Sequence, residues 1–295
     1  MMQIIDSHFH IWRQNDQPWL VGPMVPRIFG PYEPLRRDYP IEEYLADCQP
    51  SGLAKGVYVQ TNWARQDFEK EVAFVSEVAR RAGWPHAIVG FADMSVDDVR
   101  PQLDRLAVYP LLRGVRMQLH WHETPAFRFA PDARQVVDPK VKANVRRLKD
   151  YGLSFDLQLF PAQMQDGLEL VGENPETQFI LTHCGMLTAR DERTVEAWKA
   201  GLRILAEAPN LTAKLSGLGT FEHRNDPDLI RLIYDAAIEI LGSERLMFGS
   251  NFPIEKLWTS FADLFAAHRA AAMRHGAQAT SDIFCNTATR VYRPG

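Results

Sequence analysis

Eight short runs rich in apolar, β-branched and aromatic residues recur along the chain: QIIDSHFH, KGVYVQTN, HAIVGFAD, LRGVRMQL, LSFDLQLF, QFILTHCG, LTAKLSGL and RLMFGSNF. Most are separated by amphipathic segments. Phe68 to Ala82 sets Phe68, Val72, Val75 and Ala79 at helical spacing; Pro139 to Tyr151, Val195 to Ala208 and Asp228 to Leu241 read the same way. Gly83, Gly152, Pro209 and Gly242 punctuate the joins. Strands alternating with helices predict an α/β protein. The runs extend from Gln3 to Pro253, a span of about 250 residues that suits a (β/α)8 TIM barrel. An open doubly wound sheet would carry a Gly-rich turn after its first strand, where this chain has DSHFH. The barrel is therefore the expected fold, with residues 1–295 as a single domain.

One connection breaks the rhythm. From Arg13 to Pro40 the chain is rich in Pro and Gly, with Trp19, Phe29, Tyr32 and Tyr39 scattered through it. Loops this long are functional or disordered, and the aromatics argue against disorder. Placed after the first strand, the loop would lie over the C-terminal face of the barrel, where active sites form. It reads as a lid.

Composition narrows the function classes. Lys and Arg number 33 against 37 Asp and Glu, a formal charge of −4. That balance leaves no basic footprint for nucleic acid and no polybasic membrane patch. Cys48, Cys184 and Cys285 are widely spaced and form no CxxC pair, which suits a reducing compartment. The start of the chain shows neither a signal peptide nor a spanning helix, so the expectation is a cytoplasmic protein acting on a small molecule. A homo-oligomer is left open.

The candidate chemistry begins at DSHFH. Side chains alternate along a strand, so Asp6, His8 and His10 are expected on one face. Two converging imidazoles can hold a divalent ion, although two surface histidines at a strand end would give the same pattern. His183 ends the sixth run, and Gly249, Ser250 and Asn251 close the eighth. Polar residues at the C-terminal ends of strands one, six and eight would face a common space. In LRGVRMQLH, Arg116, Gln118 and His120 share a face. A charged residue late in a buried strand needs a partner, and a substrate carboxylate or a rim acid would serve Arg116. Lys214 could contact substrate or pair with Asp156. Gln60, at the end of the second run, and Trp12, Tyr32 and Arg37 around the lid complete the substrate-binding candidates, with Trp19 and Arg36 beside them. His120 and His122 in HWHE are read as hydrogen-bonding groups rather than a second metal site. His223, His268 and His275 read as surface residues and Cys184 as packing.

DSHFH, LTHCGM, KLSGL, MFGSNFP and FCNTATRVYR, in this order from Ile4 to Arg293, resemble the amidohydrolase superfamily of metal-dependent hydrolases. More closely they resemble its branch of sugar-lactone and 2-pyrone-4,6-dicarboxylate lactonases. The resemblance implies that His8 and His10 are the first-strand metal pair and that His183 holds the metal or contacts the substrate carbonyl. It also implies a substrate that is a small cyclic ester, a sugar lactone or a carboxylated pyrone or muconolactone, opened by an activated water. The eighth-strand position, usually Asp in the superfamily, is Asn251 here. A carboxamide has no useful basicity and is a weaker ligand. A divalent ion, zinc first, on His8, His10 and His183 and a metal-free site are both compatible with this pattern. Arg116 would stabilise the oxyanion and Asn251 would orient water. The rival readings are a metal-dependent decarboxylase of the same superfamily and a binding protein whose catalytic site has decayed.

Overall fold

The computed structural model describes residues 3–295. Eight strands form one sheet in sequence order: β1 (Ile4–Phe9), β2 (Leu53–Val59), β3 (Ala87–Gly90), β4 (Leu112–Val115), β5 (Ser154–Leu157), β6 (Phe179–Leu181), β7 (Leu211–Leu215) and β8 (Leu246–Phe248). Every neighbouring pair is parallel. Just past its strand end, Asn251 N–H donates to the His8 carbonyl at 2.7 Å and His10 N–H to the Phe252 carbonyl at 2.8 Å, drawing β8 against β1. The expected (β/α)8 TIM barrel is the fold.

Helices follow the strands in turn, and their boundaries track the sequence pattern. The helix after β2 runs Phe68–Ala82 and ends on Gly83 at φ 71°, the left-handed geometry a helix C-terminus favours. The helix after β7 starts at Pro227, with the Asp226 side chain accepting from the N–H groups of Asp228 and Leu229. Pro139 to Tyr151 is not one helix: α geometry covers Pro139–Val145, and a tighter 3-10 turn carries Arg146–Tyr151 to Gly152.

Two apolar layers result. Ile5, Val57, Val59, Ala87, Val89, Ile180 and Met247 fill the inside of the barrel, with Val291 and Tyr292 of the C-terminal helix Thr287–Tyr292 packed among them. A larger layer, including Phe9, Tyr44, Val72, Leu103, Leu157, Trp198 and Ile233, joins the sheet to the surrounding helices.

The segment Arg13 to Pro40 is ordered by local structure. It contains the short helices Gln14–Asp16, Pro18–Val21 and Glu33–Leu35. Its base is pinned where Trp12 and Tyr39 exchange backbone hydrogen bonds of 3.0 and 2.9 Å. Trp19 stacks within 6.1 Å of Trp12, Phe29 and Tyr32, measured between ring centroids. The aromatics that argued against disorder are the loop's own core.

Candidate active site

The first strand does not keep strict alternation. Its pairing with β2 shifts register between Asp6 and Phe9. Asp6 therefore leaves the face expected to hold it with His8 and His10. Its carboxylate turns to the helix layer, accepting from Tyr44 Oη at 2.9 Å and from the N–H groups of His8 and Ser250 at 3.0 and 2.8 Å. Burial raises its pKa to about 6, against those hydrogen bonds. A register irregularity of this kind re-aims side chains at a strand end.

His8 and His10 point to the site, with ring centroids 5.0 Å apart, and His183 lies 4.9 Å from His8. The His10 Nδ1 is 2.7 Å from the Val59 carbonyl. A carbonyl only accepts, so Nδ1 carries the proton and Nε2 keeps its lone pair. His183 Nδ1 stands 2.9 Å from Ser216 Oγ, which can donate or accept, and 3.1 Å from the Ser216 carbonyl; a proton on Nδ1 is accepted by that carbonyl and leaves Nε2 its lone pair. Both ring nitrogens of His8 are buried without a partner. Burial lowers the pKa of all three, His10 to about 3, with cationic Lys214 and Arg116 adding to the effect, so the imidazoles are neutral. Two glycines allow this crowding. A Cβ on Gly249 would sit 2.7 Å from the His8 Cβ, and one on Gly217, at φ +62°, would sit 2.7 Å from His183 Nδ1.

A pocket opens above them. From the barrel, His10, Gln60, Arg116, Gln118, His183 and Asn251 line it; from the segment after β1 come Trp12, Trp19, Arg27 and Phe29. Asn62, His183 and Asn251, all on the lining, adopt positive φ of 65°, 54° and 56°. Such backbone is strained for these residues, and it clusters where side chains must be aimed.

Other sequence candidates lie elsewhere. His8 is beneath the lining, fully buried. Lys214 is paired with Asp156 at 2.6 Å inside the barrel, and Tyr292 Oη donates to the other carboxylate oxygen at 2.7 Å; its ammonium is satisfied there and does not reach the cavity. His120 is wedged between Phe129 and Phe160, each 5.9 Å away between ring centroids. Tyr32 is buried in the loop's aromatic core. Arg37 faces outward in a bidentate pair with Glu43, at 2.6 and 2.7 Å. His268 corrects a surface expectation: it is buried and 2.9 Å from Tyr234 Oη. Cys184 is buried with its thiol pushed up to about 12, which suits packing and not nucleophilic attack.

A divalent ion can be tested against these donors. Among the described residues no three His, Cys, Asp or Glu side chains are drawn together as a finished metal cage. The donor chemistry nonetheless fits. His10 has its Nδ1–H held by a backbone carbonyl, and His183 sets Nδ1 beside the Ser216 hydroxyl and carbonyl, the outer-shell arrangement that presents Nε2 to a metal. His8 has two buried nitrogens that no protein group satisfies.

The amidohydrolase family model matches residues 5–293. The chain belongs to the amidohydrolase family. It is therefore an enzyme. An uncharacterized protein of Sinorhizobium fredii is 34% identical over 98% of both chains. An L-fucono-1,5-lactonase of Burkholderia multivorans is 30% identical over 98% of this chain and 95% of its own. The crystal structure of an amidohydrolase from Burkholderia multivorans with bound zinc superimposes with a TM-score of 0.82 at 28% identity, covering 99% of this chain and 100% of that one.

Against the family background, some residues at the site of this amidohydrolase were not singled out from sequence, Asn62, Arg27, Thr220 and Glu255 among them. Arg27 and Thr220 line the cavity. Glu255 is fully buried behind it, accepting from Trp258 Nε1 at 2.9 Å and from Thr220 Oγ1 at 3.4 Å, with its own N–H donating to the Asn251 carbonyl at 3.4 Å. Burial raises its pKa to about 8. The only sequence signal for Glu255 was its place four residues after Asn251, one helical turn on.

Proposed function

We propose that this amidohydrolase is a lactonase that opens a small cyclic ester with water. The observation that carries the reading is the meeting, in one covered cavity, of neutral imidazoles from β1 and the end of β6 with the unpaired guanidinium of Arg116. Relatives named L-fucono-1,5-lactonase align along nearly the whole chain and support it.

His8, His10 and His183 would hold a divalent ion, zinc by the preference of imidazole donors and by its presence in the related structure. Bound there, such an ion supplies Lewis-acid polarisation of the ester carbonyl and acidifies water. Arg116 stabilises the charge that develops on the carbonyl oxygen; a guanidinium buried from water acts more strongly than an exposed one. Asn251, on the lining with His10, orients the attacking water and takes no proton. Gln60 and Gln118 offer an amide donor and an amide acceptor that lack protein partners and can hold ring substituents. Trp12, Trp19 and Phe29 cover the cavity and limit entry of bulk water. The ring oxygen leaves as a hydroxyl, and water plus lactone gives one hydroxy acid.

The test is a pH-indicator assay on aldono-1,5-lactones, with zinc added and after chelation. Activity is expected to fall at least tenfold on chelation and at least a hundredfold in His183→Ala. Release of carbon dioxide from aromatic acids, with no ring opening, would replace the lactonase reading by a decarboxylase.

A further inference from the structure

The charge balance inside the cavity is lopsided. Among the described residues, its lining includes no Asp or Glu but two arginines, Arg27 from the covering segment and Arg116 from the end of β4. Arg116 is 4% exposed; one of its amino groups donates to the Gln60 carbonyl at 2.6 Å, and its Nε has no partner. Two acids whose charges act on it are hydrogen-bonded by other groups, Asp156 by Lys214 and Tyr292, and Glu71, through one oxygen, by Tyr58 and Thr61.

Arg27 repeats the pattern from above. Its guanidinium lies 5.1 Å from the centroid of the Trp19 ring and 5.7 Å from that of Tyr32, and its Nε is also buried without a partner. Stacking on the indole fixes the plane of the fork without using its N–H donors. The Gln60 amide nitrogen adds a further unpartnered donor to the same lining. A neutral ligand would leave the buried guanidinium of Arg116 without a counter-charge in the cavity, at substantial cost, and the half-buried Arg27 adds a second cation facing the same space. A carboxylate removes that cost and matches a guanidinium bidentately.

We propose that the natural substrate is a lactone bearing a free carboxylate, such as the monolactone of an aldaric acid, and that Arg27 is the residue selecting acidic over neutral rings. The inference rests on the lactonase reading for the reaction but not for binding. Opening such a ring yields a dicarboxylate, one acid group for each guanidinium.

Two measurements separate the claims. The first compares kcat/KM for glucaro-1,4-lactone and glucono-1,5-lactone in the wild type, Arg27→Gln and Arg27→Lys. The wild type is expected to favour the acidic lactone by at least tenfold, and Arg27→Gln to shrink that ratio by about 10- to 100-fold through KM, with partial recovery in Arg27→Lys. The second is calorimetric binding of glucarate against gluconate, which needs no turnover; glucarate is expected to bind more tightly, and Arg27→Gln to erase the difference. Equal or better opening of the neutral lactone, or an Arg27→Gln ratio unchanged from wild type, overturns the acid-selecting site and leaves the lactonase reading standing. Arg27-dependent glucarate binding with no lactone opened sustains the acid site and removes the lactonase reading.

Discussion

Asn251 holds the position where a carboxylate is the usual residue of the superfamily. It lines the cavity with His10, and its carbonyl accepts from the N–H of the buried Glu255. Replacing it with Asp adds a charged oxygen beside three neutral imidazoles. Asn251→Asp is expected to tighten zinc binding about 10- to 100-fold, read by titration against a competing chelator. Unchanged affinity would place residue 251 outside the ion's reach. His8, His10, His183 and Asn251 were legible from sequence because they end strands, where a polar residue interrupts an apolar run. Arg27 was not legible, because it sits in a Pro- and Gly-rich segment with no period to assign a face. Lys214 was legible as a buried cation, but two outcomes fit the pattern, and proximity to Asp156 decided for the ion pair.

At the level of elements, all eight strand runs read from the sequence became strands, because each is a short apolar stretch bounded by Gly, Pro or polar residues. The irregularity in β1 could not be read. Alternation of Asp6, His8 and His10 assumes unbroken register, and the shift is set by partners far along the chain, Tyr44 and Ser250. The end of β8 is equally demanding. Gly249 lies where any Cβ would press on the Cβ atoms of His8, at 2.7 Å, and Ser216, at 3.0 Å. Backbone-linked atoms cannot swing aside, so Gly249→Ala should cost about 1–3 kcal/mol in urea unfolding and weaken zinc binding at least tenfold by displacing His8. A variant with wild-type metal affinity would show that the β1 and β8 ends adjust independently.

At the scale of the whole molecule, the buried titratable groups predict a stability maximum in the metal-free protein. Burial holds His10, His120 and His268 each at about 3, and His8 and His183 well below their ordinary value. An unfolded histidine takes up a proton below about 6.5. The unfolded chain therefore binds more protons there, and stability falls as pH drops from 6.5 toward 3. Asp6 and Glu255 act in the opposite direction. Their folded values, about 6 and about 8, stand above the 3.8 and 4.5 of the free side chains, so the folded state holds the extra proton and stability falls as pH rises through those intervals. Five histidines outweigh two carboxyls below pH 6.5, and above it the last proton uptake of the unfolded histidines and the release of the Glu255 proton oppose each other. The maximum should be a broad one near neutrality, in which the Glu255 contribution falls by about 2 kcal/mol between pH 6.5 and 8 and the histidine contribution rises by about the same. Glu255→Gln keeps a neutral side chain in the same space and removes the titration. Urea midpoints of the chelated protein should stay about level from pH 6.5 to 8 in the wild type and rise in the variant, while the acid limb, owned by the histidines, is shared by both. Profiles that run parallel from pH 6.5 to 8 would assign the opposing titration to another group.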